Sequence, residues 1–355
     1  MTIVRGVRMS VTIYEIAERA GVSPSTVSRA INDSTLISQR TKEKVLAIAQ
    51  ELGYEKTGGG KSPTHLQTIA VLVSDVLNLT LSQLVKGIQE VLRTEGYSML
   101  LFEGEGEADH ELEFLRDLSA ENVSGVILSG PNVGVDYAVT LQQQQIPFVV
   151  ALSYATDQHV PCVSINNVEA AFEVIDTLYR YGHRSIAIIT GPVGDLTVNR
   201  DRLLGCRLAA KGKGLVLDED LIIEGDYSFD SGYEAAKSIL EHRTRPTAVF
   251  AFGDMMALGA IRCFEEAGLN IPEDISIIGF DGTELTRCLY PELATVRQPS
   301  LEIGREAASL LIEILSKEDA EIVIKREMDY ELLQNSSLKD IADVDDIYSK
   351  RGDVS

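Results

Sequence analysis

Arg29 stands in the run SPSTVSRAIN among Ser25, Thr26, Ser28 and Asn32, one guanidinium surrounded by short hydroxyl and amide groups. Such a set suits hydrogen bonding to a nucleic acid. The planar fork of an arginine matches a guanine edge, and short hydroxyls and amides reach phosphate oxygens. A second set lies further along, at or near the ends of apolar runs: Asp75, Asn78, Arg202, Asp254 and Asp281. Carboxylates and a guanidinium converging on a small site hold sugar hydroxyls in forked pairs, or an anionic group through Arg202.

The first set needs a compact helical scaffold, and residues Thr12 to Tyr54 supply one. Thr12 with Glu15 reads as a capping box, opening a helix whose apolar positions are Ile13, Ile16, Ala17 and Ala20. Gly21 breaks it, Ser23 caps the next helix and Pro24 occupies its first turn, so residues 24–32 form helix two. Two helices joined by a tight Gly-containing turn make a helix-turn-helix, whose second helix enters the DNA major groove. Pro24, Ser25 and Arg29 face outward there, while Val27, Ala30 and Ile31 pack inward. A third helix near residues 38–52 places Val45, Ile48, Ala49 and Leu52 on one face. The expected DNA-contacting set is Thr12, Tyr14, Ser23, Pro24, Ser25, Thr26, Ser28, Arg29 and Asn32.

A formal charge of −22 over 355 residues looks wrong for a nucleic-acid binder until its distribution is read. Residues 1–61 hold nine Lys/Arg against six acids, a balance of +3, which leaves −25 on the remainder. The acidic part is repelled by a duplex, so DNA is approached by the N-terminal head first. Cys162, Cys206, Cys263 and Cys288 have no metal-ligand or disulfide spacing and read as reduced, partly buried thiols; no metal or cofactor is expected. No signal peptide and no membrane-spanning run is present, which points to the cytoplasm. Neither a nucleophile elbow, a phosphate loop nor a histidine cluster appears, so an enzyme is not expected.

Residues 57–67 break all periodicity with Gly58, Gly59, Gly60 and Pro63, the mark of a linker. From residue 68 to 335, apolar β-branched runs alternate with helical stretches in two successive sets. That pattern predicts an α/β body of two parallel-sheet subdomains, each sheet covered on both faces. EIVIK and EMDYELL read as closing strands, and residues 336–355, polar and acidic, as a disordered tail. Two open sheets facing each other leave a cleft at the carboxyl ends of their strands, where ligands sit.

The order ExAxxAGVSxxTVSRxxN, followed by TxExV and ELGY, resembles the head of the lactose/galactose repressor family. INNVEAAFEVIDTLYRYGHRSIAIITGP, IPEDISIIGFDG and ATVRQP extend that resemblance over residues 11–335. It implies a helix-turn-helix head (11–56) and a bilobal, periplasmic-binding-protein-like body that binds a small, sugar-like effector. It also implies a homodimer on operator DNA, with Arg202 and Asp254 contacting the effector, Asp281 close by and Asn78 lining the near lobe. Without the family, Asp254 reads as a capping carboxylate for a helix over 255–267. The other role open to the chain is that of a cytosolic solute receptor with a degenerate head.

The sequence departs from the family at several points. Leu79, Thr80 and Leu81 stand where members with sugar effectors often have a proline and two aromatics, Gly253 where an asparagine is usual, and Asn166 where an aspartate is typical. The three glycines cost about 1 kcal/mol each in a helix, so the family's hinge helix is not expected at 57–63. Cleft-to-head coupling is then looser than in the family.

Overall fold

A computed structural model describes residues 13–23, 26–27, 30, 38–52, 67–104, 108–119, 122–130, 135–155, 159–192, 197–316 and 325–342. The chain divides into two compact units, Met1–Thr64 and His65–Ser355.

In the smaller unit, α1 (Ile13–Ala20) and α2 (Gln39–Glu51) flank a short helical stretch at residues 26, 27 and 30. Ile16, Ala17 and Ala20 meet Val27, Ala30, Val45 and Ala49 in one buried cluster, the inward face that the spacing predicts. The turn follows from local chemistry. Gly21 takes a left-handed φ of 67°, and the Ser23 hydroxyl oxygen accepts from the Thr26 amide at 3.2 Å, capping the second stretch. Ser38 does the same for α2 through the Thr41 amide.

The larger unit begins with β1 (Thr68–Val73), α3 (Leu79–Thr94), β2 (Ser98–Glu103), α4 (Ala108–Asp117), β3 (Gly125–Ser129), α5 (Val135–Gln143), β4 (Phe148–Ala151) and β5 (Cys162–Ser164). A second series follows: α6 (Asn167–Arg180), β6 (Ile186–Thr190), α7 (Val198–Lys213), β7 (Ile222–Glu224), α8 (Phe229–Glu241), β8 (Ala248–Ala251), α9 (Asp254–Glu266), β9 (Ser276–Asp281) and β10 (Ala294–Arg297). The chain then returns through α10 (Ser300–Ser316) and β11 (Lys325–Glu327) before closing with β12 (Glu331–Leu333).

Two six-stranded sheets result, in the orders β11-β5-β4-β3-β1-β2 and β12-β10-β9-β8-β6-β7. The first is parallel throughout; in the second only β12 runs antiparallel to its neighbour. The backbone passes between the lobes three times, at 164–167, 297–300 and 327–331, so the lobes share a three-stranded hinge. In each sheet the strand order reverses beside the first strand of its series, β1 or β6, the crevice where open sheets hold ligands.

Close helix crossings fix the helix layers. At Gly304 an added Cβ would lie 2.2 Å from the Leu84 carbonyl oxygen, and at Gly87 it would lie 2.0 Å from that of Leu301. Only residues without a side chain let α3 and α10 touch backbone to backbone.

Two expectations are corrected, and a third lies mainly outside the described residues. Strand β2 is not covered on both faces: it is an edge strand, and Leu100 and Leu101 are 44% and 40% exposed. EIVIK falls mainly on residues outside those described, and the strand there is Lys325–Glu327. The tail is not disordered from residue 336. Ser337 is fully buried, with its hydroxyl donating to the Ile277 carbonyl and accepting from the Ala294 amide, and Ile341 donates to the Tyr181 carbonyl. Polar composition signalled a solvated tail, but these hydroxyls and amides satisfy backbone groups at the edge of the second lobe. Cys162, Cys206 and Cys263 are buried and Cys288 exposed, all as free thiols.

Candidate functional site

Between the lobes of the larger unit lies a cavity of about 110 Å³ at the carboxyl ends of β1, β3, β4, β8 and β9. Asn78, Arg202 and Asp281, three of the predicted residues, line it together. Asn78 caps α3: its side-chain oxygen accepts from the Thr80 and Leu81 amides at 2.9 and 3.3 Å, which leaves the NH2 group for the cavity.

Arg202 projects from the first turns of α7 and is 3% exposed. Its Nε donates to Asn167 Oδ1 at 2.9 Å, its Nη1 to the Phe252 carbonyl at 2.6 Å, and its guanidinium carbon lies 3.5 Å from the centre of the Phe280 ring. The fork is therefore held flat and immobile at the wall.

Asp281 ends β9 with a φ of 109°, a left-handed value for a residue with a side chain. Its Oδ1 accepts from Gln298 Nε2 at 2.8 Å. Burial pushes this carboxyl up, while Arg202 and the Gln298 amide pull it down; the net shift is upward.

Asp75 and Asp254 are not brought to the cavity. Asp75 is exposed and spends one oxygen on the Leu77 amide at 2.7 Å, a local turn. Asp254 is fully buried behind the wall and accepts from the Thr283 amide (2.7 Å), the Thr283 hydroxyl (3.0 Å) and the Thr295 hydroxyl (2.7 Å). It does not cap its own helix either; it ties the loop after β9 to β10. Burial first and the charge of Asp281 second raise its proton affinity.

Residue-by-residue reading missed several lining groups. Ser129 and Gln298, buried to 1% and 7% exposure, each carry a side-chain oxygen without a hydrogen-bond partner. Buried oxygens of this kind cost free energy unless something in the cavity donates to them or accepts from them. The aromatic surface expected to be lacking near Leu79–Leu81 comes from the other lobe, as Tyr227. Tyr227 has a left-handed φ of 70°, and its hydroxyl oxygen would lie 2.2 Å from a Cβ at Gly191, so Gly191 makes room for the ring. Gly253 leaves open the space between that ring and Asp281, 3.5 and 3.9 Å from its ideal Cβ. Tyr227 and Gln298 follow β7 and β10, so the strand-end rule that found Asp281 also points to them.

Of the predicted DNA-contacting residues, Ser23 and Thr26 are described, with their hydroxyls 2.9 Å apart at the start of the second helical stretch. Thr12, Pro24, Ser25, Ser28, Arg29 and Asn32 lie outside the described residues, as does the side chain of Tyr14.

Comparison with known proteins agrees with both units. Residues 12–56 match the model for bacterial regulatory proteins of the lacI family, and residues 175–334 that for a periplasmic binding protein-like domain. The chain is 34% identical to catabolite control protein A of Priestia megaterium, over 89% of this chain and 96% of that protein. It is 35% identical to the HTH-type transcriptional repressor CytR of Escherichia coli K12, over 85% and 89%. A crystal structure of the lac repressor dimer bound to operator and an anti-inducer superposes with a TM-score of 0.71 at 27% identity, covering 93% of this chain and all of that one.

Proposed function

The chain belongs to the lacI family of bacterial regulatory proteins, and on that footing we propose a homodimeric repressor that acts in the cytoplasm and answers to a small, sugar-like metabolite. It is a sequence-specific DNA-binding transcriptional regulator rather than an enzyme. The head reads operator DNA, with Arg29 on a base edge, Ser25 on the same face, and Thr26, Ser28 and Asn32 near phosphates. Two heads on a dimer raise the effective concentration that one weakly basic head lacks. The exposed leucines of edge strand β2, Leu100 and Leu101, support a self-association surface there.

The observation that carries the effector reading is the ring of polar groups around the cavity. Asp281, Arg202 and the unpartnered oxygens of Ser129 and Gln298 face a space flanked by Tyr227. Hydroxyls that both donate and accept, carried on a ring with apolar faces, answer all of those features.

The test is operator selection from a random duplex library, followed by affinity measurement across a salt series. Arg29→Ala should abolish sequence preference and leave a weak, salt-sensitive remainder. Unchanged preference would remove Arg29 from base reading, and no preference in the parent protein would remove the regulatory role.

A further inference from the structure

Both lobes line the cavity, which shares Thr80, Asp281 and Gln298 with a wider groove of about 820 Å³. What holds the lobes together beside the cavity is specific. Tyr154, just beyond β4 in the first lobe, donates its hydroxyl to Asp201 Oδ2 at 2.7 Å, on α7 of the second lobe. Arg200 Nη2, also on α7, donates to the same Tyr154 oxygen at 2.9 Å. One residue deeper, the hydroxyls of Ser153 and Thr197 meet at 2.9 Å, 3% and 4% exposed. Lys325 of β11 sits 5.8 Å from the centre of the Tyr154 ring and steadies it from its own lobe.

The same two segments alternate between these bonds and the cavity wall. Leu152 and Ser153 line the cavity and Tyr154 bonds across; Val198 and Arg202 line it and Arg200 and Asp201 bond back. Leu152 holds a left-handed φ of 61°, a strained value for a leucine, at the junction of wall and cross-lobe bond. Strain of that kind persists where surrounding contacts over-determine a conformation, and it is released when they break.

We propose that Tyr154, Asp201 and Arg200 form a clasp across the mouth of the cleft, setting the balance between closed and parted lobes. A ligand that pushes on Ser153 or Arg202 acts within one or two residues of the clasp, so filling the cavity and changing the lobe angle are mechanically linked. The clasp bears on DNA only through the regulatory reading above, but its own existence is tested without DNA.

Spin labels are placed on the full chain at Gln142→Cys in the first lobe and Glu241→Cys in the second, both exposed positions, in a Cys288→Ser background. Pulsed distance measurement then reports the closed and parted populations. Tyr154→Phe removes one oxygen and keeps the ring; it should move the closed-to-parted ratio about tenfold toward parted, the effect of losing a charge-assisted hydrogen bond. Arg200→Ala, at a side chain 58% exposed, should move it the same way. Tyr181→Phe, whose hydroxyl bonds Gln334 within the second lobe, should leave it unchanged. Distributions identical to the parent in both Tyr154→Phe and Arg200→Ala, or an equal shift in Tyr181→Phe, would overturn the clasp. A shift in distance without any operator preference in the parent would keep the clasp and reject the regulatory reading instead.

Discussion

Replacing Arg202 by lysine keeps the charge and removes the geometry, which makes it the sharpest probe of the cleft. The guanidinium is 3% exposed and makes two hydrogen bonds to groups buried with it, Asn167 and the Phe252 carbonyl, while stacking on Phe280. A lysine ammonium is a compact charge and cannot serve both acceptors and the ring together. Each buried group left unpaired costs about 1–3 kcal/mol, and the lost ring contact about 0.5–2 kcal/mol. Part of this is recovered if the ammonium moves toward Asp281, so a net loss of about 3–5 kcal/mol is expected, the range for breaking a buried polar cluster. With a urea slope of about 3 kcal/mol/M, the midpoint of the larger unit falls by more than about 1 M. Urea unfolding at pH 7 followed by circular dichroism reads this directly. Metabolites that raise the melting temperature of the parent should have no effect on the variant. A midpoint within about 0.3 M of the parent would show that the fork geometry is dispensable and refute the derivation.

Two further predictions concern charge and packing. Asp254 and Asp281 bind protons more tightly folded than unfolded, because burial raises both and the charge of Asp281 adds to the rise at Asp254. The folded state therefore holds protons that the unfolded chain releases above about pH 3.9, so the pair lowers stability as pH rises from there through the folded values. Asp281→Asn should flatten that part of the profile; a parent-minus-variant stability difference that stays constant from pH 4.5 to 8 would contradict it. In the helix layers, Gly304→Ala should lose about 1–3 kcal/mol against the Leu84 carbonyl despite its better helix propensity. Gly212→Ala in α7, where an added Cβ meets nothing within 4 Å, should instead gain up to about 1 kcal/mol. Denaturant midpoints that rank the two variants the other way would show that the α3–α10 crossing is looser than described.

Much of the architecture was readable from local pattern. Helix caps at Ser23 and Ser38, the inward face of the head and the two alternating β/α series all follow from short-range chemistry, in which a side chain and the backbone it serves are a few residues apart. Strand ends also pointed to Asn78 and Asp281, because parallel strands deliver their carboxyl ends to one crevice. The same rule carried no information about depth. Asp75, Asp254 and Asp281 occupy similar positions along the chain, yet one is solvated in a turn, one is sealed behind the wall by Thr283 and Thr295, and one reaches the cavity.

Partners distant in sequence decided that difference. Asn167 and Phe252 fix Arg202 from 35 and 50 residues away, Gln298 holds Asp281 from 17, and Tyr154 meets Asp201 across 47. The tail shows the same limit, since residues 336–342 look solvated by composition and are bound by backbone groups of β9 and β10. Periodicity and capping record what a residue does for its own helix or strand. Which side chains face one another across a cleft depends on how three hinge crossings bring two sheets together, and no local pattern encodes that.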